Sequence, residues 1–307
     1  MLFSSFVFDT LDKLMYLNCN LNVIKGIKKV RNVVYNDKYP LDCKCDLYYK
    51  EGNTAKYPVL INIHGGGFVA GDKKYRLAYS KDIANEGVFV MTINYGLCPK
   101  YQFPDFIYQS ASSLLWLVNN ADKYNLDLDN IMVAGDSAGA YIAAYLGIIQ
   151  SNAELRAKLG IDKLAANIKA LILYCGPYQV EELLTKKIML NLQAEIGSAF
   201  LNVPKESILD TSKIADIKYR DLINIPQFVN SDFPTSLLTY ARCDFLCPEQ
   251  AEPFMKILDT NKVKYRFHNA TKKRDLHVYH LFWHSSNGRR AMKMTREFIH
   301  DVVDNKI

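Results

Sequence analysis

The pentapeptide Gly-Asp-Ser-Ala-Gly at residues 135–139 constrains the fold of this chain more than any other stretch. It follows residues 130–134, an apolar run typical of a strand, and precedes residues 140–145, which have the composition of a helix. The glycines fit a sharp turn whose flanks pass too close to neighbouring backbone for a Cβ. Such a turn raises the Ser137 hydroxyl above the sheet and directs the first helical N–H groups at its target. The pattern therefore predicts a nucleophilic serine.

Strand and helix patterns alternate along most of the chain. Strands are predicted at residues 30–36, 44–50, 59–63, 88–95, 130–134, 170–176, 235–241 and 263–268. Helices are predicted at residues 74–86, 108–124, 140–145, 248–260 and 288–303. The first two strands are expected to pair antiparallel, and the later alternation is typical of a mostly parallel sheet. We therefore predict a single α/β domain of residues 1–307, with a mostly parallel central sheet and helices on both of its faces.

Two helical segments fall outside this alternation. Near the N-terminus, one helical stripe collects Phe3, Phe6, Val7, Leu11, Leu14 and Met15. We expect an amphipathic helix packed over the domain, with a membrane anchor as the alternative. Residues 178–232 carry helical stripes but no strand pattern, and their apolar positions include Val180, Leu183, Leu184, Ile188 and Met189. This insertion is predicted to form a lid over the sheet edge where the sites of α/β proteins lie.

The charge and the cysteine content argue against several classes of protein. The formal charge of +6 comes mostly from scattered lysines without a nucleic-acid-binding motif, so no nucleic-acid partner is predicted. Seven cysteines at irregular spacing argue against a disulfide framework and for a reducing, cytoplasmic location. The apolar N-terminus has no basic leader and is interrupted at Asp9, so neither a secretion signal nor stable membrane insertion is expected.

A nucleophilic serine needs a base to take its proton and an acid to orient that base. After a strand-to-helix serine turn, the acid comes next along the chain and the histidine last, each after a later strand. Asp244 follows the strand predicted at residues 235–241, whereas Asp232 precedes that strand and Glu249 begins the next helix. Asp244 is therefore the predicted acid, with a helix cap as the alternative role.

Three histidines compete for the role of general base, namely His277, His280 and His284. His277 comes first after the loop that follows the last strand, where the base belongs, and His280 is its rival. On a helix the three would face one side, as in a metal site, but no carboxylate or cysteine lies near enough in sequence to complete it. His277 is the predicted base, and no metal is predicted.

A second glycine-rich segment, His64-Gly65-Gly66-Gly67, follows the strand predicted at residues 59–63. Glycines allow two adjacent backbone N–H groups to point at one atom, as the negative charge that develops on a carbonyl oxygen requires. His64 is interpreted as a hydrogen-bonded brace of this loop. A flexible turn or a phosphate-binding loop is the alternative, but no Lys-Ser or Lys-Thr follows the glycines.

These two glycine motifs together resemble the hormone-sensitive-lipase-like esterases, a branch of the α/β-hydrolases, and the resemblance runs from about residue 58 to the C-terminus. Further segments that match family motifs are Tyr95-Gly96-Leu97-Cys98-Pro99 with Phe103-Pro104, Asp244-Phe245-Leu246 and His277-Val278-Tyr279. Gly96, Lys100 and Phe245 depart from the arginine, glutamate and proline usual in the family. The resemblance implies an α/β-hydrolase fold with a helical cap built from about residues 1–30 and 178–232.

The resemblance further implies a serine hydrolase that cleaves carboxylic esters of short to medium acyl chain through an acyl-enzyme. The triad would be Ser137, His277 and Asp244; the oxyanion donors would be Gly65, Gly66 and Ala138; and His64 and Gly67 would support that loop. No metal or organic cofactor is required, the expected partner is a small-molecule ester, and a homodimer is left open. The alternatives are a deacetylase, an amide or peptide hydrolase, or a ligand-binding receptor that has lost turnover.

Overall fold

A computed structural model describes residues 2–20, 24–185, 192–210 and 217–307. Its strands are β1 (Lys28–Val34), β2 (Lys44–Tyr49), β3 (Tyr57–Ile63), β4 (Phe89–Ile93), β5 (Leu126–Asp136), β6 (Ala170–Tyr174), β7 (Thr235–Ala241) and β8 (Tyr265–Ala270). They form one sheet in the order β1-β2-β4-β3-β5-β6-β7-β8. β2 pairs antiparallel with β1 and β4, and every other pairing is parallel. This arrangement confirms the predicted mostly parallel sheet with an antiparallel pair at its start.

The helices cover both faces of the sheet. Their bounds are α1 (Phe3–Cys19), α2 (Leu77–Asn85), α3 (Asp105–Asn119), α4 (Ala121–Tyr124), α5 (Ala138–Ser151), α6 (Ala153–Leu159), α7 (Val180–Thr185), α8 (Leu192–Leu201), α9 (Lys205–Leu209), α10 (Ala251–Thr260) and α11 (Ser286–Val303). α3, α5 and α10 pack in one apolar cluster, and α2 and α11 pack in another. Alternate residues of the buried strands supply the two clusters, as a sheet covered on both faces requires.

Several predicted helices differ from the structure in their bounds, and one of them is divided into two α-helices. The helix predicted at residues 108–124 begins at Asp105 and is divided by Asn120 into α3 and α4. Pro104 precedes its first turn, where a missing N–H costs nothing, and Asp105 carries a negative charge that the N-terminal end of a helix favours.

The N-terminal helix forms as predicted, but only part of the predicted stripe, including Leu11 and Met15, lies on its inward face. Phe3, Phe6 and Leu14 are 57%, 53% and 70% exposed. The side that faces the protein carries Ser4, Phe8, Leu11, Asp12, Met15 and Cys19. Glu195 of α8 accepts the N–H groups of Phe3 and Ser4 at 3.1 and 2.6 Å, and this contact fixes the end of α1 independently of its apolar pattern.

The described part of the insertion consists of helices joined by turns and loops. Between residues 178 and 232, the described parts hold α7, α8, α9 and two short 3₁₀ turns, and no strand. Val180, Leu183 and Leu184 are buried as predicted, whereas Ile188 and Met189 lie outside the described residues. Among the described helices, none is both long and apolar enough to cross a bilayer.

Candidate active site

Ser137 occupies the turn between β5 and α5 with φ 52° and ψ −120°, a conformation that a non-glycine residue rarely adopts. Its N–H donates to the carbonyl oxygen of Tyr174 at 2.8 Å. A Cβ at Gly135 would overlap the carbonyl oxygen of Gly139, and a Cβ at Gly139 would overlap that of Ile63. Both glycines are therefore required for the turn, as the sequence predicts.

The Asp244 carboxylate and the His277 imidazole form a buried pair. His277 Nδ1 lies 2.9 Å from Oδ1 and 2.8 Å from Oδ2 of Asp244. The N–H groups of Leu246 and Cys247 donate to Oδ1 at 3.0 and 2.9 Å. Burial alone would raise the pKa of Asp244, but the charge of His277 and these hydrogen bonds outweigh burial and lower that pKa. The ionised carboxylate favours the tautomer with a proton on Nδ1, which leaves His277 Nε2 as the basic nitrogen.

Ser137 and His277 line the same cleft, but the serine–base hydrogen bond is not formed. His277 Nε2 is buried and has no hydrogen-bond partner among the described residues. The Ser137 side chain instead lines the α8 side of the site together with the Cys247 thiol, whose pKa burial raises well above its usual value. Nucleophile–base bonds are often long in the absence of substrate and shorten when it binds. The structure thus brings all three predicted triad residues close together, and two of them, His277 and Asp244, are hydrogen-bonded.

His280 takes no part in this cleft. Its ring stacks on Tyr174 at a centroid distance of 3.7 Å, and burial lowers its pKa to about 3. A metal site of His277, His280 and His284 is not assembled. Among the described residues, the one group of metal-binding side chains in reach of each other is Cys175, Asp244 and His277, which contains the acid–base pair itself.

The glycine loop differs from the sequence prediction in one donor. The Gly65 N–H donates to Oδ2 of Asp136 at 3.1 Å, so this predicted oxyanion donor is engaged within the protein. Gly66 and Gly67 adopt φ of 124° and 59°, and a Cβ at Gly66 would overlap the carbonyl oxygen of Ala70. Within the described chain, neither the Gly66 nor the Gly67 N–H donates to another protein group.

Sequence reasoning missed the ion pair that holds this loop. Arg76 donates to Asp136 through Nε at 2.7 Å and Nη2 at 2.6 Å, and both side chains are buried. Asp136 thereby connects the serine turn to Gly65. Burial alone would raise the pKa of Asp136, but the Arg76 charge and hydrogen bonds outweigh it and lower that pKa. An aspartate between an apolar strand and a helix was the available signal, but its arginine lies 60 residues away in sequence.

His64 contacts the loop rather than the nucleophile. Its Nδ1 donates to the Gly65 carbonyl oxygen at 2.8 Å, and its ring stacks on Tyr95 at 4.6 Å. The Tyr95 hydroxyl donates to the His64 carbonyl oxygen at 3.0 Å. Burial lowers the pKa of His64 to about 4, so its imidazole is neutral near pH 7.

Two cavities meet at Ser137. The α8 cavity, of about 100 Å³, is almost entirely apolar and is lined by Leu183, Leu184, Leu192, Ile196 and Phe200 beside Ser137 and Ala138. The α1 cleft, of about 370 Å³, is lined by Phe8, Leu11, Asp12 and Met15 of α1 together with Ser137 and His277. Of the two, the α1 cleft is the larger and the one that reaches the histidine.

Comparison with known proteins places the chain in a family. The family model described as BD-FAE matches residues 45–257, which include Ser137 and Asp244. A protein of Acanthamoeba polyphaga mimivirus named as an alpha/beta hydrolase is 34% identical over 137 residues, which are 42% of this chain and 39% of that protein. Hormone-sensitive lipase of Mus musculus is 28% identical over 158 residues, which are 51% of this chain and 21% of the lipase. The chain therefore matches less than half of the length of either relative.

The solved structures agree in fold. Esterase B from Lactobacillus rhamnosis superposes with a TM-score of 0.82 over 97% of this chain and 93% of that one, at 24% sequence identity. The family match and the fold confirm the resemblance found in the glycine motifs. The chain belongs to the BD-FAE family and has an α/β-hydrolase fold, and it resembles the hormone-sensitive-lipase-like esterases.

Proposed function

We propose that this chain hydrolyses carboxylic esters through an acyl-enzyme on Ser137. The observation that carries the proposal is the buried His277–Asp244 pair, which lies in one cleft with a serine on a strained strand-to-helix turn. A carboxylate paired with histidine Nδ1 makes the other ring nitrogen a general base, as acyl transfer to a hydroxyl requires. Names of the relatives, an esterase and a hormone-sensitive lipase, support the same class of reaction.

In the proposed reaction, His277 Nε2 takes the Ser137 proton while Oγ attacks the ester carbonyl carbon. The resulting imidazolium, stabilised by Asp244, then donates that proton to the leaving alcohol. Water attacks the acyl-enzyme in the second half, with His277 again as base, and the carboxylic acid leaves. The negative charge on the carbonyl oxygen is held by the N–H groups of Gly66, Gly67 and Ala138, whereas Gly65, held by Asp136, and His64 brace the loop.

The two cavities then take different parts of the ester. The leaving oxygen receives its proton from His277, so the alcohol occupies the α1 cleft, which His277 lines. The acyl chain occupies the α8 cavity, whose small volume and apolar walls suit a short to medium chain. We also propose that α1 and the helices of the insertion act together as a cap, since α1 and α8 contact each other and both line the α8 cavity.

The test is a panel of p-nitrophenyl esters of increasing acyl length, measured with the wild type and with Ser137→Ala. Rates should peak at short to medium chains and fall by several orders of magnitude in Ser137→Ala. Equal rates for the two proteins would remove the proposal.

Two histidine variants then identify the base. His277→Ala should lose several orders of magnitude in kcat, whereas His280→Ala, measured where it is folded, should keep most of its kcat because the ring only packs on Tyr174. An inactive His280→Ala beside an active His277→Ala would show that the assignment of the base is wrong.

A further inference from the structure

The α1 cleft contains a half-buried carboxylate that the proposed reaction does not use. Asp12, on the inward face of α1, lines the cleft together with Ser137 and His277. Its Oδ2 is shielded from solvent and has no hydrogen-bond partner among the described residues. A buried carboxylate oxygen without a donor is costly, and such groups are ordinarily satisfied. If the Asp12 side chain turns toward the cleft, a donor that arrives with the substrate would satisfy it.

The surroundings of Asp12 restrict what this donor can be. Much of the cleft wall is apolar, through side chains such as Phe8, Leu11, Met15, Phe245 and Leu276. Arg76 lines the same cleft, and its Nε and Nη2 donors are engaged with Asp136. A cationic group placed against Asp12 would also face the Arg76 guanidinium, whereas a hydroxyl can donate to the carboxylate without bringing charge.

We propose that Asp12 selects esters whose leaving alcohol carries a further free hydroxyl, as the partial esters of a polyol do. This inference rests on the proposed function, because the alcohol is assigned to the α1 cleft through His277. The hydroxyl donates to the Asp12 carboxylate while the ester carbonyl lies at Ser137. Asp12 contacts the substrate but takes part in no bond change, so it determines specificity and not the chemical step.

The first test compares three butyrate esters on the wild type: 2,3-dihydroxypropyl, 2,3-dimethoxypropyl and propyl butyrate, with acid release followed by titration. The dimethoxy ester keeps the electron withdrawal of the oxygens but cannot donate a hydrogen bond. A hydrogen bond to a buried charged group implies kcat/KM about ten- to a hundredfold higher for the dihydroxy ester than for the dimethoxy ester. Equal values for the two would overturn the inference.

The second test changes the carboxylate. Asp12→Leu should reduce the preference for the dihydroxy ester to near unity, mainly through KM, and Asp12→Asn should weaken it. Asp9→Asn is the matched control, since Asp9 lies one turn earlier on α1 in an exposed pair with Lys13 and should keep the wild-type preference. If Asp12 had a purely structural role, its variants would lower kcat/KM equally for all three esters and leave the ratios between the esters unchanged. That result would also overturn the inference.

The ratio of the two esters has a pH dependence of its own. Burial raises the pKa of Asp12 to about 6, with Arg76 opposing and Asp136, Asp9 and Asp72 adding to the rise. Both esters pass through the same chemical step, so effects of pH on that step cancel in the ratio. The preference should therefore decline as pH falls from 8 to 5, because a protonated carboxyl accepts a weaker hydrogen bond, and Asp12→Leu should show no such decline.

Two outcomes separate this inference from the proposed function. If butyrylcholine is preferred over all three neutral esters, the cleft selects a cation, and the hydroxyl assignment is wrong while esterase activity stands. If none of the esters is cleaved in a manner that depends on Ser137, the proposed function itself fails.

Discussion

At the scale of single residues, Asp136 links the serine turn to the glycine loop. It accepts two hydrogen bonds from the buried Arg76 and one from the Gly65 N–H. Asp136→Asn leaves the Arg76 guanidinium buried without its carboxylate, and breaking such a pair costs about 3–5 kcal/mol. We expect a lower Tm and, at a temperature where the variant is folded, a kcat reduced by about ten- to a hundredfold because the oxyanion loop is no longer held.

Asp82→Asn is the control for this prediction. Asp82 pairs with Arg296 at 2.6 Å between α2 and α11, a pair that lines neither cavity at Ser137. Its loss should lower Tm while kcat stays near the wild-type value. If Asp136→Asn behaves in the same way as Asp82→Asn, the pair stabilises the fold without positioning the loop.

The residues that could be predicted from sequence are those fixed by local order along the chain. Ser137 lies in a motif, and Asp244 and His277 each follow a strand in the order that this arrangement requires. The direction of the Gly65 N–H could not be predicted, because it depends on a carboxylate 71 residues away. For the same reason, the sequence could not show that Asp12 Oδ2 lacks a hydrogen-bond partner, because this depends on how α1 packs beside the cleft.

At the scale of elements, α1 is held at its N-terminus by a residue of another helix. Glu195 of α8 accepts the N–H groups of Phe3 and Ser4, two of the donors that a helix leaves without partners at its start, and places negative charge at the positive end of the helix. Glu195→Ala removes a cap worth about 1 kcal/mol. We expect amide hydrogen exchange in the first turns of α1 to accelerate about fivefold, measured by mass spectrometry at pH 7.

Glu206→Ala is the matched control for Glu195→Ala. Glu206 lies in the first turn of α9 and is exposed, so its loss should leave exchange in α1 unchanged. The Glu195 variant should also raise KM for esters, because Phe8, Leu11 and Met15 of α1 line the α1 cleft. Unchanged exchange in α1 would show that its packing, and not Glu195, holds the helix.

The positions of the strands and helices could be predicted closely from their sequence patterns, but the orientation of α1 could not. Strands β3, β4, β6 and β7 lie where apolar runs predicted them, because such runs need only local composition. The predicted inward stripe of α1 was only partly correct, since Leu11 and Met15 line the cleft whereas Phe3, Phe6 and Leu14 are exposed. A helix above a binding cleft is positioned by polar contacts and by the ligand as well as by apolar burial, so its hydrophobic stripe alone does not determine its inward face.

At the scale of the whole molecule, the mostly parallel pairing of the sheet could be predicted from sequence, but the order of its strands could not. Alternation of strands and helices indicates parallel pairing, whereas the position of β3 between β4 and β5 is a long-range choice that no local pattern records. The same holds for the cavities at Ser137, which need the insertion and α1 to be placed on the finished sheet.

The last prediction concerns the acid stability of the entire fold. Burial lowers the pKa of His64 to about 4 and that of His280 to about 3, whereas a histidine in the unfolded chain titrates near 6.5. As pH falls below 6.5, the unfolded state binds protons that the folded state excludes, so stability is lost progressively until the folded pKa is reached. Each histidine contributes about 1.4 kcal/mol per pH unit in that range.

His280→Phe separates one of these contributions from all other titrations. Phenylalanine can keep the stacking on Tyr174 but cannot be protonated, and His280 Nδ1 has no hydrogen-bond partner among the described residues that the change would remove. Urea unfolding at pH 7.5 provides the internal control, since both proteins hold a neutral ring there. Between pH 6.5 and 4.5 the variant should lose stability less steeply than the wild type, so that the difference in unfolding free energy grows toward acid. Parallel curves over this range would mean that His280 is protonated in the fold, and its burial against Tyr174 would then have to relax in acid.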